Sequence, residues 1–358
     1  MEKKYNQLMK KCIALAKKYE GRTSPNPLVG CIIFDDNFKI ISTGAHECYG
    51  QNHAERNAIL NAKENLKGKN LIVNLEPCVH FGKTPPCADL IIEKGIKKVI
   101  IGIKDVNPIV EGKGIAKLKR AGIEVITGVL EEDCKKLNKF FIKNQTKHLP
   151  YITIKIASTL DGKIATKTYS SKWITDEASR KEVQKLRNKY DAILTSSTTV
   201  IKDNPSLTCR IKNGKNPIRI VLDTNLATSP DSKVYTDDGT KVYLITSKQT
   251  KKYPKNVEII KTPIKNKHIN LKAAVGILYE KGIRSILVEA GGTLNKSFIE
   301  ENLADELVQF TAPKILGDNN AISFVQGFDR NQISECNNLK ISDVKKLKND
   351  IILTAEFI

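Results

Sequence analysis

His53-Ala54-Glu55, then Glu76-Pro77-Cys78, then Cys87 nine residues beyond Cys78, is the stretch whose reading decides the first half of this chain. A neutral imidazole and two thiolates are borderline-soft donors that suit Zn²⁺, and three protein ligands leave a fourth position open for water, the catalytic arrangement. His53, Cys78 and Cys87 are therefore the candidate metal ligands. Glu55 opens a helical run, Ala54 to Leu60, close to the metal but poorly placed to ligate it. That is where a proton shuttle belongs: zinc lowers the pKa of a bound water, and an adjacent carboxylate can carry the proton to a departing amine. A structural zinc site would want a fourth ligand, for which only His80 is at hand, and the thiols could also pack as small hydrophobes. The joint occurrence of the His-Ala-Glu and Pro-Cys elements in this order favours the catalytic reading. His46 and His80 are read as pocket wall or as neighbours of the ligands.

Working outward, the 358 residues suit two domains at about 100 to 200 residues each. No apolar run approaches the roughly 18 residues of a membrane span, and Met1-Glu2-Lys3-Lys4 leads into an amphipathic helix without a signal-peptide core. A cytoplasmic protein is expected. The eight cysteines are scattered, with only Cys78 and Cys87 close together, which argues against a disulfide framework. The net charge of +20 raises nucleic-acid binding. The lysines are dispersed, however, with no basic stripe and interleaved aromatics, so no specific nucleic-acid partner is expected.

Helix is predicted for residues 2–20, followed by β-rich runs at 28–34 and 40–44, a helix over 53–65 and a strand at Leu71 to Leu75 that ends at the Pro-Cys. A helix over 87–94, a strand at 98–103, a helix over 114–121, a strand at 124–127 and a helix over 131–144 complete an α/β/α unit. The polar stretch Lys143 to Pro150 reads as a boundary, with Pro150 stopping the preceding helix. A second α/β pattern has strands near 151–157, 192–195, 218–222, 242–246, 285–288, 306–311 and 351–354, and helices near 176–188, 270–281 and 293–301. The division predicted is 1–147 and 148–358.

The first constellation resembles the H-x-E…P-C-x-x-C signature of the zinc-dependent cytosine and adenine deaminases, in which the Glu is the acid/base and not a ligand. The widened Cys78 to Cys87 spacing, with Val79 to Pro86 looped out, and the stretch Thr23-Ser24-Pro25-Asn26-Pro27-Leu28-Val29-Gly30 resemble one branch, the diaminohydroxyphosphoribosylaminopyrimidine deaminase of riboflavin biosynthesis. Lys155 to Ala165, Ser171-Lys172-Trp173-Ile174-Thr175 and Thr199 to Arg210 resemble the reductase domain that accompanies it, whose fold is like dihydrofolate reductase. The resemblance covers nearly the whole chain. It implies a cytidine-deaminase-like domain followed by a dihydrofolate-reductase-like domain, with Zn²⁺ and NADPH as cofactors, a phosphorylated pyrimidine as substrate and a homo-oligomeric assembly.

Carried over residue by residue, the resemblance places Ala157, Trp173, Thr199, Asp203 and Thr224 at the cofactor, and Ser171, Arg187, Leu207, Arg210 and Glu289 at the substrate, with Asn26 serving the deaminase. Physical readings stand beside it. Val288-Glu289-Ala290-Gly291-Gly292 is a strand entering a Gly-Gly turn and a helix, where backbone amides can approach a pyrophosphate. Gly291, Gly292, Thr293, Leu294, Asn295, Lys296 and Ser297 are accordingly expected along the dinucleotide. Arg187 and Arg210 suit bidentate grip of a phosphate. Lys155 and Glu289 are candidates for holding the sugar hydroxyls and assisting proton transfer. Ser247 and Lys248, followed by Lys251 and Lys252, form a hydroxyl and a basic cluster without an acidic residue, which suits an adenosine 2′-phosphate and so NADPH.

Overall fold

The computed structural model describes residues 1–81, 85–248 and 252–358, in two compact units, Met1–His148 and Leu149–Ile358. The first comprises α1 (Glu2–Lys17), β1 (Gly30–Phe34), β2 (Ile40–Ala45), α2 (Ala54–Leu60), β3 (Asn70–Leu75), α3 (Cys87–Glu93), β4 (Lys98–Ile103), α4 (Lys113–Arg120), β5 (Glu124–Thr127), α5 (Glu131–Leu137) and α6 (Lys139–Lys147). Its sheet runs β2-β1-β3-β4-β5; β1 is antiparallel to both neighbours and β3, β4 and β5 are parallel. Apolar residues run continuously through β1, β3 and β4 because both faces are covered. Leu71, Val73, Val99 and Ile101 meet Ala58, Ile91 and Leu118 of α2, α3 and α4 on one face. Ile72 and Ile100 meet Leu8, Met9, Cys12 and Phe141 of α1 and α6 on the other.

The second unit comprises β6 (Tyr151–Ser158), β7 (Lys163–Ala165), α7 (Glu177–Lys189), β8 (Ala192–Ser196), α8 (Ser197–Asp203), β9 (Ile218–Leu222), β10 (Val242–Thr246), β11 (Val257–Lys261), β12 (Ile264–Lys265), β13 (His268–Ile269), α9 (Leu271–Glu280), β14 (Ser285–Val288), α10 (Gly292–Glu300), β15 (Glu306–Thr311), β16 (Ile322–Ser323), β17 (Leu339–Leu347) and β18 (Asp350–Phe357). The main sheet is β11-β10-β9-β8-β14-β6-β15-β18-β17, parallel from β11 to β15 and closed at one edge by the antiparallel hairpin β17–β18. Helices α9 and α10 cover one face through Val275, Leu278, Phe298 and Ile299. On the other, Val200 of α8 packs with Ile193, Val221 and Leu244, and Val183 of α7 with Val308 and Phe310. Among the described residues no helix is long and apolar enough to cross a membrane.

Two predicted helices are corrected. The helix predicted over 53–65 ends at Leu60. The one predicted over 131–144 is two helices, because buried Asn138 leaves the helical path to serve Leu28: its Oδ1 accepts the Leu28 N–H (2.8 Å) and its Nδ2 donates to the Leu28 carbonyl (3.0 Å). The two units divide between His148 and Leu149, inside the stretch read as a boundary; α6 runs on through Lys147 and ends at His148 in the left-handed region (φ 53°), and Pro150 is buried. Strand β17 has no counterpart in the sequence reading, since its register shifts between Ile341 and Asp343 and interrupts the alternation on which a strand is recognised.

Gly44 of β2 fixes how close α2 can come. A Cβ there would lie 2.3 Å from both the Ala54 carbonyl oxygen and the Ala58 nitrogen, so the backbone of α2 rests directly on the strand. Gly44→Ala must push the helix away, and overpacking of this kind costs about 1–3 kcal/mol. Urea denaturation of the variant is expected to show a lower midpoint for the first unit, with bound zinc lost in parallel because α2 carries His53 at its start.

Candidate active sites

Each metal-ligand candidate sits where a strand ends or a helix begins. His53 is the N-cap of α2, Cys78 follows β3 by three residues, and Cys87 is the first residue of α3. His53 Nδ1 lies 3.5 Å from each of the two Sγ atoms, and the Cys87 N–H donates to Cys78 Sγ at 3.3 Å. Tetrahedral zinc with ordinary Zn–N and Zn–S bonds puts such donors about 3.5 Å apart, so both the chemistry and the spacing of this set fit the ion. Among the described residues this is the one group of three or more His, Cys, Asp or Glu side chains with ligand atoms that close, all within 4.8 Å. The Cys87 thiol donates to Cys78 and, with His53, holds Cys78 against burial at about 4, while the same hydrogen bond pushes Cys87 up. His53 is raised, first by Cys78.

Glu55, 3% exposed, is pushed up by burial and by Cys78 to about 7, against the pull of His53. A carboxyl near neutrality and next to the metal ligands can both take and give a proton. Beside it, Asn26 Nδ2 contacts His46 Nε2 at 3.1 Å, and His46 Nδ1 contacts the Asn52 carbonyl at 3.0 Å. A carbonyl only accepts, so Nδ1 carries the proton and Nε2 accepts from Asn26, with burial lowering the His46 pKa and keeping the ring neutral. The His46 and His53 rings meet edge to face at 5.5 Å. Two residues not singled out from sequence complete the surroundings. Glu76 accepts the backbone N–H groups of Asp105, Gly112 and Ile115, each at 3.0 Å. Asp105 is buried, which raises its pKa to about 6. Glu76 lay in the quoted tripeptide, whereas Asp105 had no local signal beyond following β4. Gly82, Lys83 and Thr84 of the widened spacing lie outside the described residues.

In the second unit a cavity of about 310 Å³ is lined by Lys155, Ala157, Ser171, Trp173, Arg187, Thr199, Asp203, Leu207, Arg210, Glu289 and Gly291, together with Arg180 and Gln184. It opens at the C-terminal ends of parallel strands, the usual position for ligands in open α/β sheets. Arg187 grips Glu289 with two bonds, Nε–Oε1 at 2.8 Å and Nη2–Oε2 at 2.9 Å, and Lys155 Nζ stands 3.5 Å from the same carboxylate. Burial alone would raise Glu289, but Arg187 and Lys155 outweigh it and hold the group at about 2, so it is a fixed anion at neutral pH. Trp173, which could have been core, is 61% exposed, with its face against the Arg180 guanidinium at 4.5 Å. Asp203 is raised by burial, with Lys172 opposing.

The remaining cofactor candidates stand elsewhere. Thr224 and Ser247 follow the neighbouring strands β9 and β10, with Ser247 Oγ donating to the Thr224 carbonyl at 3.0 Å; Lys248 is exposed, and Lys251 lies outside the described residues. Gly292 gives room to protein: a Cβ there would lie 2.3 Å from the Ser323 carbonyl oxygen, while the corresponding position at Gly291 is open. Asn295 is buried and donates to the Phe324 carbonyl at 2.8 Å. Leu294 packs on the core, Lys296 pairs with Glu300 and Ser297 bonds back to Thr293, so α10 past Gly291 does not line the cavity.

Residues 2–103 match the cytidine and deoxycytidylate deaminase zinc-binding region, and residues 150–353 the RibD C-terminal domain. Riboflavin biosynthesis protein RibD of Actinobacillus pleuropneumoniae is 43% identical over 96% of this chain and 93% of its own. That of Bacillus amyloliquefaciens is 41% identical over 97% and 95%. The crystal structure of a diaminohydroxyphosphoribosylaminopyrimidine deaminase/5-amino-6-(5-phosphoribosylamino)uracil reductase from Thermotoga maritima superposes with a TM-score of 0.91, at 41% identity, over 100% of this chain and 99% of that one. Acinetobacter baumannii RibD gives 0.89 at 34% identity, over the whole of both chains. With a deaminase zinc region before a RibD reductase domain and such relatives along its full length, the chain belongs to the RibD family of bifunctional deaminase–reductases of riboflavin biosynthesis.

Proposed function

We propose that residues 1–147 deaminate 2,5-diamino-6-ribosylamino-4(3H)-pyrimidinone 5′-phosphate and that residues 148–358 then reduce its ribosyl chain with NADPH, giving 5-amino-6-ribitylamino-uracil 5′-phosphate. The observation that carries this reading is the His53, Cys78 and Cys87 triangle with buried Glu55 beside it. Zinc held there would activate a water toward the amino-bearing carbon. Glu55 takes one proton as the water adds and passes it to the ring nitrogen, then takes the second from the new hydroxyl and passes it to the amino group, which leaves as ammonia. Asn26, oriented by neutral His46, offers its amide oxygen to a substrate N–H.

In the second unit NADPH would supply the hydride to the ribosyl C1′ once the sugar ring has opened. Ala157, Trp173, Thr199, Asp203 and Gly291 are the proposed cofactor contacts, with Thr224, Ser247 and Lys248 extending along the neighbouring strand ends. Ser171, Leu207 and Arg210 hold the phosphorylated substrate, and Arg187 with Glu289 faces its sugar. Lys155 stands as the proton donor, because Glu289 is held ionised and accepts hydrogen bonds instead. We place the enzyme in the cytoplasm as a homo-oligomer; the exposed Leu339, Ile341 and Val344 on the edge strand β17 support self-association.

Glu55→Gln is expected to abolish deamination while retaining zinc, since the amide does not shuttle protons and is not needed for coordination. Cys78→Ser and Cys87→Ser should instead lose the metal, because a serine hydroxyl stays protonated where a thiolate binds. Metal analysis beside a deaminase assay separates the two classes, and loss of zinc in Glu55→Gln would sink the assignment. All three variants should reduce pre-deaminated substrate normally.

NADPH is expected over NADH, because an adenosine 2′-phosphate is answered by a basic and not an acidic neighbour. Comparing kcat/KM for the two cofactors in wild type and in Lys248→Glu tests it, with a drop of about tenfold in NADPH preference expected for the loss of one phosphate contact. An unchanged preference clears Lys248, and a wild-type preference for NADH overturns the cofactor assignment.

A further inference from the structure

The loop from Asn204 to Arg210 forms one wall of the second unit's cavity and is held in an unusual backbone path, since Asn204 and Leu207 both have positive φ, 40° and 51°. Side chains other than glycine adopt that region reluctantly, and a loop containing two of them needs anchors to persist. The anchors come from one face of α7. Arg187 Nη1 donates to the Thr208 carbonyl at 3.0 Å, the Cys209 thiol approaches the Gln184 carbonyl at 3.6 Å, and the Arg210 N–H donates to Gln184 Oε1 at 2.9 Å. One residue past Arg187, Asn188 Oδ1 accepts the Lys215 N–H at 2.8 Å. The last three residues of the loop are thus fastened to the helix in turn, and Arg210, whose side chain is exposed, has Gln184 as its backbone anchor.

We infer that Gln184 is a positioning residue of the reductase, setting the place of Arg210 so that its guanidinium meets the substrate phosphate. Gln184 lines the cavity from the same helical face as Arg180, Val183 and Arg187, and its Oε1 is engaged by the Arg210 N–H. The inference rests on the reading of Arg210 as a phosphate contact.

The test uses the full-length protein and steady-state reduction of the deaminated substrate, with and without its 5′-phosphate. Gln184→Met keeps the length and helix propensity of the side chain but removes the acceptor. It is expected to raise KM for the phosphorylated substrate about tenfold, with kcat and the KM for NADPH within about twofold, and to have no effect on the dephosphorylated substrate. Arg210→Ala should show the same phosphate-specific loss, and the double variant should be no worse than Arg210→Ala alone, because both remove one interaction. Unchanged deaminase kinetics and circular dichroism establish that the variant is folded. If Arg210→Ala treats the two substrates alike, the phosphate reading itself fails. A phosphate-specific loss in Arg210→Ala without one in Gln184→Met overturns the positioning role alone, as does a loss in Gln184→Met that is equal for both substrates or additive with Arg210→Ala.

Discussion

A carboxylate just past the end of a parallel strand, committed to protein partners, organises each unit. In the first, Glu76 follows β3 and accepts three backbone N–H groups, from Asp105 after β4 and from Gly112 and Ile115 at the start of α4. A polar group buried without partners costs several kcal/mol, roughly 2–7 by transfer measurements, so the chain on either side of Glu76 is fixed to the loops it joins. Cys78 lies two residues beyond. Its place beside His53 and Cys87 therefore depends on a side chain that is no ligand at all. In the second unit Glu289 follows β14 and is tied to Arg187 and Lys155. Removing either cation would leave a buried anion short of a partner, which is more damaging than losing the pair together.

The two strand ends explain why chemistry collects where it does. Parallel strands leave their C-terminal carbonyls and the following loops at one edge of the sheet, and helices return from that edge with their N–H groups exposed. His53 as the N-cap of α2 and Cys87 as the first residue of α3 bring two metal-ligand candidates to helix starts. Thr199, near the start of α8, has its N–H capped by Ser196 at 3.3 Å and faces the second cavity from the same kind of position.

Much of this was legible in the sequence because the signals are local. The alternation of β and helical patterns located most of the sheet strands along the chain, and the spacing of His53, Cys78 and Cys87 was enough to suggest their convergence. What was not legible depends on partners far along the chain. Asn138 reads as one more helical residue until Leu28, 110 positions earlier, is seen to occupy both ends of its amide. Gly292 reads as part of a phosphate-binding turn, yet the atom that requires its missing Cβ is the Ser323 carbonyl of another strand. The loop after α8 contains no motif for its positive-φ residues; only the α7 face that holds it makes them intelligible.

Helix α7 shows how one element comes to govern a site that it only borders. Its N-terminus is capped by Asp176, whose Oδ1 accepts the Ser179 N–H at 2.9 Å, and is fastened by Asp350 of β18, which accepts the Asp176 N–H at 2.8 Å and the Ser179 hydroxyl at 2.6 Å. Its C-terminal half holds Glu289 through Arg187 and the Asn204 to Arg210 loop through Gln184 and Arg187. The hairpin edge β17–β18 is therefore coupled mechanically to the cavity, although it contributes no residue to the lining. Both the Glu289 carboxylate and the Arg210 wall are held from a single turn of α7, Gln184 to Arg187, so their spacing is tied to that turn.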